Sequence, residues 1–356
     1  MNHVAAIRVY LLTCRRPQLL RRSLGSLLAQ TRADWVCELH NDAPEDDAPA
    51  RVLAELAPGD ARFTYHRHDP AWGAVGSFNH FFRGGPEPFV AVLEDDNWWE
   101  PALLDSLHSA LAGQPSAALA WANMRLWREN EDSSWTDTGQ TIWPTGVAQR
   151  RFDWPVLIQA VDALHSNGAM LFRRPDGAPA TVPPDTPLAI IEQMRERALA
   201  GCLVLVPQVL GNFALTRRTA RTGGRRLAVE GELLIAGSFL DGVPLTAAAW
   251  DELMGLCRQA TPRRVNMLIL LALAGVRRRE ILSRAAPADL LRFAYSFAGN
   301  LRTNVGALGF RRTHRELWAW LRTETAARTG EARRAGWTAL GAGSLSSKNA
   351  SGVPRP

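Results

Sequence analysis

The first hundred residues alternate between two hydrophobic periods, and that alternation admits few folds. "AAIRVYLLT", "WVCELHND", "RFTYHRH" and "PFVAVLEDD" read as strands. Between them, "RPQLLRRSLGSLLAQT", "PARVLAELAP" and "GAVGSFNHFFRG" carry apolar residues at helical spacing, the first with Pro17 near its start. Strands separated by helices imply an α/β domain, a mostly parallel sheet with helices on both faces. In such sheets ligands bind beyond the carboxyl ends of the strands. Thr13, Asp42 and the run Glu94-Asp95-Asp96 all fall at those ends, so three separated segments converge on one crevice.

The run "VLEDDNWWEP" poses a physical question. A strand end needs no concentrated negative charge to fold, and adjacent carboxylates repel one another, so a cation belongs there. Hard divalent ions such as Mg²⁺ and Mn²⁺ prefer oxygen ligands, and Mg²⁺ usually takes one or two protein carboxylates together with substrate phosphates. Such a site can dock a nucleotide diphosphate and stabilise it as a leaving group. The competing reading is a solvated acidic turn. It is opposed by the apolar run from Phe89 to Leu93 and by Trp98, Trp99 and Pro101 directly after the cluster.

Beyond about residue 121 the pattern loosens. The middle holds tryptophans, polar loops, "HSNGAMLFRR", a Pro-rich loop, the helical "LAIIEQMRERALAG" and then "CLVLVPQVLGNF", read as a short strand and turn. From about 228 the chain turns strongly helical. We expect an α/β domain over 1–227, a helical region over 228–337 serving oligomerisation, acceptor binding or membrane contact, and a disordered Gly/Ser/Pro-rich tail over 338–356. The longest apolar run, "VNMLILLALAGV" at 265–276, is too short to span a bilayer and reads as a buried helix, with contact at a membrane surface as the alternative. Four widely spaced cysteines without a CxxC pair, and an N-terminus that enters a strand pattern at once, lead us to expect a reduced cytoplasmic protein with neither disulfides nor a leader peptide. The net charge is +6, carried almost wholly by arginine, since Lys348 is the only lysine. No nucleic-acid reader motif accompanies it, so nucleic acid is not an expected partner.

The blocks in order resemble a known family. "VYLLTCRRPQLLRRSLGSLLAQT" is similar to the opening of GT-A glycosyltransferases of family 2, with Thr13, Arg16, Pro17, Gln30 and Thr31 in place and Cys14 and Arg15 replacing the usual aromatic and asparagine. "HNDAPEDD" resembles the family's second-strand ending at Asp42. "GAVGSFN" matches its Gly-to-Asn spacing at Gly73 and Asn79. "LEDDNWWEP" matches its acidic motif from Leu93 to Pro101, with Glu94 for the first aspartate and Asn97 for the last. The resemblance covers roughly residues 5–215.

The resemblance implies roles residue by residue. Asp42 accepts hydrogen bonds from the nucleobase, Thr13 lies in the same pocket, and Arg16 reaches the base or the phosphates. Glu94 sits near the ribose or the water shell of the metal, its reach changed by one methylene. Asp95 turns toward the donor sugar, and Asp96 ligates Mg²⁺ or Mn²⁺. An inverting transfer also needs a carboxylate to take the acceptor's proton. Asp185, in an Asp-x-x-Leu segment, fits the family's local motif but lies farther from Gly201 than usual, and its competing role is a helix N-cap. Glu192 fits the distance but lies inside the helix, so the choice stays open. His165 is a metal or acceptor ligand, or a hydrogen-bonded structural residue. Trp98, Trp99, Trp121 and Trp127 offer an acceptor platform or core. Arg217, Arg218 and Arg221 could clamp the diphosphate or face solvent.

The expected activity is transfer of a sugar from a UDP-, GDP- or dTDP-linked donor to a glycan, lipid-linked or small-molecule acceptor, metal-dependent and inverting. Such an enzyme suits a bacterial cytoplasmic route to a surface polysaccharide or a glycosylated metabolite, peripheral at the inner membrane face or paired as a homodimer through the C-terminal helices. Two rivals stand beside it. One is a non-catalytic nucleotide-sugar or partner-binding module. The other is a nucleotidyltransferase, opposed by the lack of a glycine in "TCRRPQLL".

Overall fold

The computed structural model describes residues 5–176, 179–217 and 224–334. Two compact units divide the chain. One comprises Met1–Phe152, His165–Thr181 and Ala200–Ala220, the other Asp153–Leu164, Val182–Leu199 and Arg221–Pro356. The units interleave, whereas the sequence pattern suggests a single boundary near 227.

The first unit begins as the hydrophobic periods dictate. β1 (Ile7–Thr13), α1 (Pro17–Leu28), β2 (Trp35–Asn41), α2 (Ala48–Leu56), β3 (Phe63–Arg67), α3 (Gly73–Phe81) and β4 (Phe89–Glu94) follow one another. Pro17 opens α1, where its missing N–H costs nothing, and the helix buries Leu20, Ser23, Leu24 and Leu27. Every residue from Phe89 to Leu93 is buried, as a strand covered on both faces requires. β1 pairs in parallel with β2, Thr13 opposite Asn41, and with β4, Leu12 opposite Glu94. The carboxyl ends of these three strands therefore finish level. That register brings Thr13, Asp42 and the acidic run to one edge.

Beyond β4 come β5 (Trp98–Trp99), α4 (Leu103–Ala112), β6 (Ala117–Glu129), β7 (Trp135–Thr141), β8 (Arg150–Phe152), β9 (Met170–Arg173) and β10 (Cys202–Leu215). The sheet runs β3-β2-β1-β4-β9-β6-β10-β5, with β7 on β6 and β8 on β10. β9 lies antiparallel to both β4 and β6, so a parallel half joins a mixed half. The mixed half is more regular than its sequence suggests. β6 and β10 span 13 and 14 residues, and β10 continues through Pro207 by register shifts between Val206 and Gly211. A proline inside a strand reads as a terminator in sequence, and a bulge accommodates it here. Leu11, Leu24, Leu93, Leu107, Ala120 and Val204 belong to one continuous buried core.

The second unit contains α5 (Ile191–Ala198), α6 (Arg225–Gly242), α7 (Ala247–Ala260), α8 (Pro262–Leu273), α9 (Arg278–Leu282), α10 (Pro287–Gly299), α11 (Leu301–Ala307), α12 (Phe310–Thr313) and α13 (Arg315–Arg334), with α5 packed against α13. Arg197 of α5 explains why segment 153–164 belongs here. Its guanidinium donates to Gln159 O at 2.9 Å and stands over the rings of Trp154 and Phe239, at 4.6 and 5.1 Å from their centroids. Burial lowers its pKa to about 9. Glu196 accepts from Gln159 Nε2 at 3.0 Å and from the Leu164 amide. The apolar run at 265–276 forms most of α8, with Val265, Leu268, Ile269 and Leu271 buried. Among the described residues no helix is long and apolar enough to cross a membrane. The tail from 338 lies outside the described residues.

Gly201, which precedes β10, has φ +107°, and a Cβ there would stand 2.7 Å from Ser116 O. We expect Gly201→Ala to destabilise the protein by about 1–3 kcal/mol, read as a lower midpoint in urea unfolding at unchanged slope. An unchanged midpoint would mean that the backbone yields at no cost.

Candidate active site at the ends of β1, β2 and β4

The acidic run is built into the fold through the loop that follows β1. The amide of Asp95 donates to Leu12 O at 3.0 Å. Its side chain turns back into the protein, where it accepts from Thr13 Oγ1 at 2.8 Å and from the Cys14 amide at 3.2 Å. Arg15 holds φ 56°, a left-handed turn between β1 and α1. Arg16 next to it donates to Asp96 Oδ2 at 2.8 Å and lies 3.5 Å from Asp95. Burial pushes the Asp95 carboxyl up to about 7, the neighbouring Asp96 charge adds to the rise, and Arg16 opposes it. Burial raises Asp96 as well, again against Arg16. Two desolvated carboxylates thus share one guanidinium.

The flanking residues hold this group in place. Asn97 donates to Glu94 Oε2 at 3.0 Å and accepts from the Ala214 amide at 3.2 Å, so the longer side chain at position 94 is tied back to its own turn. Gly168 passes so close that a Cβ would stand 2.5 Å from Asn97 Nδ2, and its carbonyl accepts from the Trp99 indole at 2.7 Å. The small-residue stretch after His165 therefore lies against the turn that carries the acidic run. His165 itself is buried. Among the described residues, the group that brings three potential metal-ligating atoms within 4.8 Å of one another is Glu38, His40 and His66, and it includes neither His165 nor the carboxylates at 94–96.

Asp42 occupies the end of β2. Its oxygens accept from the Trp72 amide at 2.6 Å and the Gly73 amide at 2.8 Å, which places an anion at the positive end of α3. Gly73 adopts φ +69°, a region that other residues enter only under strain. Asn79 sits within α3, half-buried. His68 Nδ1 approaches Asp42 Oδ1 at 3.2 Å, and the His68 ring stacks on Trp72 with centroids 3.6 Å apart.

Two of the four tryptophans considered from sequence are core. Trp99 is buried, and Trp121 is enclosed with Trp143 and Phe152. Trp98 and Trp127 are half-buried, 5.4 Å apart between centroids. Arg22, which sequence reasoning missed, stands over Trp98 and Trp135 at 3.7 and 4.2 Å and donates to Asp96 O at 2.9 Å. Its place on α1, six residues after Arg16, was its one sequence signal. Arg217 is exposed after β10, its amide donating to Glu129 Oε2 at 2.8 Å and its guanidinium 3.8 Å from Glu131. Arg218 and Arg221 lie outside the described residues.

Asp185 and Glu192 belong to the second unit. Asp185 is exposed in a turn. It caps no helix, because α5 begins after Ile190 and has no side-chain cap. Glu192 lies in the first turn of α5, half-buried, and not deep in a helix.

A mixed sheet flanked by helices, with an acidic turn at the end of β4 and an anion at the start of α3, is consistent with the GT-A fold. Residues 9–161 match the family described as glycosyl transferase family 2. The structure is similar to residues 1–349 of TarS from S. aureus, with 11% sequence identity, 93% of this chain and 92% of that one covered and a TM-score of 0.52. It is similar to the same TarS fragment in complex with UDP-GlcNAc, again at 11% identity and the same coverage, with a TM-score of 0.50. At that identity the likeness shows the fold. No match was found among the curated proteins.

The raised value of Asp95 has a sign. The folded chain holds this proton more tightly than an unfolded chain, whose aspartates titrate near ~3.9. The corresponding stability is complete below that value and is lost as pH rises through about 7. Measured in EDTA, the stability of Asp95→Asn relative to the native chain should therefore grow from pH 5 to pH 8. A difference independent of pH would show that Asp95 is already ionised at the lower end.

Proposed function

We propose that this protein is a metal-dependent glycosyltransferase that moves a sugar from a nucleotide-diphosphate donor to an acceptor hydroxyl, with inversion by direct displacement. The observation that carries this reading is the desolvated pair Asp95 and Asp96, held by Thr13 and Arg16 at the level ends of β1 and β4. The family match over 9–161 supports the same activity.

In this reading Asp42 orients the nucleobase. Three donors already approach its two oxygens, and a carboxylate with about four lone-pair sites retains capacity for one more. Thr13 locks Asp95 so that the acidic turn is rigid before the donor arrives, and Arg16 gives the diphosphate a positive partner. The carboxylates at 94–96 offer only oxygen ligands, which suits a hard divalent cation. Mg²⁺ or Mn²⁺ would be held by Asp96, with Glu94 and Asp95 alongside, and when bound supplies charge that stabilises the departing diphosphate. Trp98 and Trp127 are proposed to receive the acceptor by stacking, and Arg217 to approach the phosphates. His165, which is buried, is proposed as a structural residue. Asp185, by its motif, or Glu192, by its spacing, is proposed to take the acceptor proton. Leu291, Tyr295 and Leu301 of α10 and α11 are exposed, which supports pairing of the helical units as a dimer.

One observation favours a second reading. Asp96 is already paired with Arg16, and Glu94 is tied to Asn97, so the domain could bind a nucleotide sugar without turning it over.

UDP-GlcNAc, the ligand of TarS, is the first donor to test. Asp96→Ala should remove the enhancement of UDP affinity by Mn²⁺ in calorimetry while the unfolding midpoint holds. An enhancement that persists excludes Asp96 as the ligand. Asp185→Asn should lower transfer by about 10²–10⁴-fold with donor affinity nearly unchanged. Full activity moves the base to Glu192, and absence of transfer by the native chain with any UDP-, GDP- or dTDP-sugar favours the binding module.

A further inference from the structure

β2 and β3 run in parallel with His40 opposite His66, and the period of a strand puts Glu38 on the same face as His40. The two imidazoles stack with centroids 4.9 Å apart. Glu38 Oε2 lies 3.1 Å from His40 Nε2 and 3.7 Å from His66 Nε2, and the three ligating atoms lie within 4.8 Å of one another. Metal bonds of about 2.0–2.1 Å in a tetrahedral site separate ligand atoms by roughly 3.4 Å. The observed spacings bracket that value. His66 Nε2 is buried without a hydrogen-bond partner, although the ring, on the edge strand β3, is 42% exposed.

Hydrogen-bond bookkeeping points the same way. Asp42 accepts backbone amides on both oxygens, so it acts as an acceptor and His68 Nδ1 is the donor to it. With a single proton on the His68 ring, its Nε2 is an acceptor and His40 Nδ1, 2.9 Å away, donates to it. A neutral His40 is left with a bare Nε2 facing Glu38 Oε2, two lone pairs at 3.1 Å. Such a pair repels unless a cation joins it. Arg8 reaches only the other oxygen of Glu38, and Glu87 holds the same guanidinium at 2.5 and 2.8 Å, so the charge on Glu38 is shared and not cancelled. An imidazole whose far nitrogen is oriented by an outer partner, itself anchored on a carboxylate, is the usual support of a metal-ligating histidine.

We propose that Glu38, His40 and His66 bind one divalent transition metal of borderline softness, Zn²⁺ or a metal of like preference, at a site that shares no residue with the acidic turn at 94–96. Two imidazoles with one carboxylate suit Zn²⁺, Co²⁺ or Ni²⁺ better than Mg²⁺ or Mn²⁺. A cavity of about 460 Å³, bordered by these three residues with Tyr10, Trp72 and His80, leaves room for water or an added ligand in the open position. The metal also fixes the tautomers along His40 and His68, and so the donor that faces Asp42.

The test is titration of the metal-free full chain with Co²⁺, followed by visible absorption, and with Zn²⁺, followed by calorimetry. One equivalent of Co²⁺ should give the intense band of tetrahedral coordination in the native chain and in Asp96→Ala. Glu38→Gln and His66→Ala should each lose the band and weaken Zn²⁺ at least about tenfold. Both positions are only partly buried, and unfolding midpoints in EDTA report whether the variants fold. Absence of the band in the native chain overturns the proposal, since it leaves a proton as the bridging cation. So does a band that survives in both folded variants, or one lost only in Asp96→Ala.

Discussion

Everything at the crevice depends on the desolvation of two aspartates at the end of a strand, Asp95 buried and Asp96 half-buried. Asp95 and Asp96 follow a β4 that is apolar along its length, and both are pushed toward the neutral form by desolvation. The fold tolerates them because the parallel neighbour ends at the same level. β1 delivers Thr13, the Cys14 amide and Arg16 to the very carboxylates that β4 carries out. Removing a charge from water is costly unless it is paired and hydrogen-bonded, and here the pairing is incomplete. The remaining negative charge is the basis on which a cation is proposed there.

The second charged element is Asp42, and it works through a helix. By accepting the amides at the start of α3 it settles that helix against β2 and meets the positive end of the helix dipole. His68 and His40 extend the same network across the sheet to Glu38. The proposed nucleobase position and the histidine group are therefore parts of one hydrogen-bonded chain.

The first four strands, their helices and the acidic turn were legible in the sequence because local periods encode them. The expectation of a mostly parallel sheet describes the half from β3 to β4, while β9 reverses the direction beyond it. β10 was read short because Pro207 interrupts its pattern, and a bulge is invisible to periodicity. The helix cap weighed as the competing role of Asp185 is not formed, since the chain there makes a turn and α5 starts later. Arg22 and Trp135 escaped notice because their meeting depends on a β6–β7 hairpin that pairs across the sheet. The histidine group was half-visible as alternating residues in "ELH" and "HRH", which a strand turns to one face.

The sequence by itself determined the order of strands and helices, the acidic turn and the residue types at each strand end, since these follow from spacing along the chain. Only the tertiary structure decided which charges meet. The pairing of Arg16 with Asp96, of Thr13 with Asp95 and of His40 with both Glu38 and His68 depends on strand register and on side chains far apart in the chain. Desolvation, which sets the chemistry of those groups, is a property of the packed core and not of any local segment.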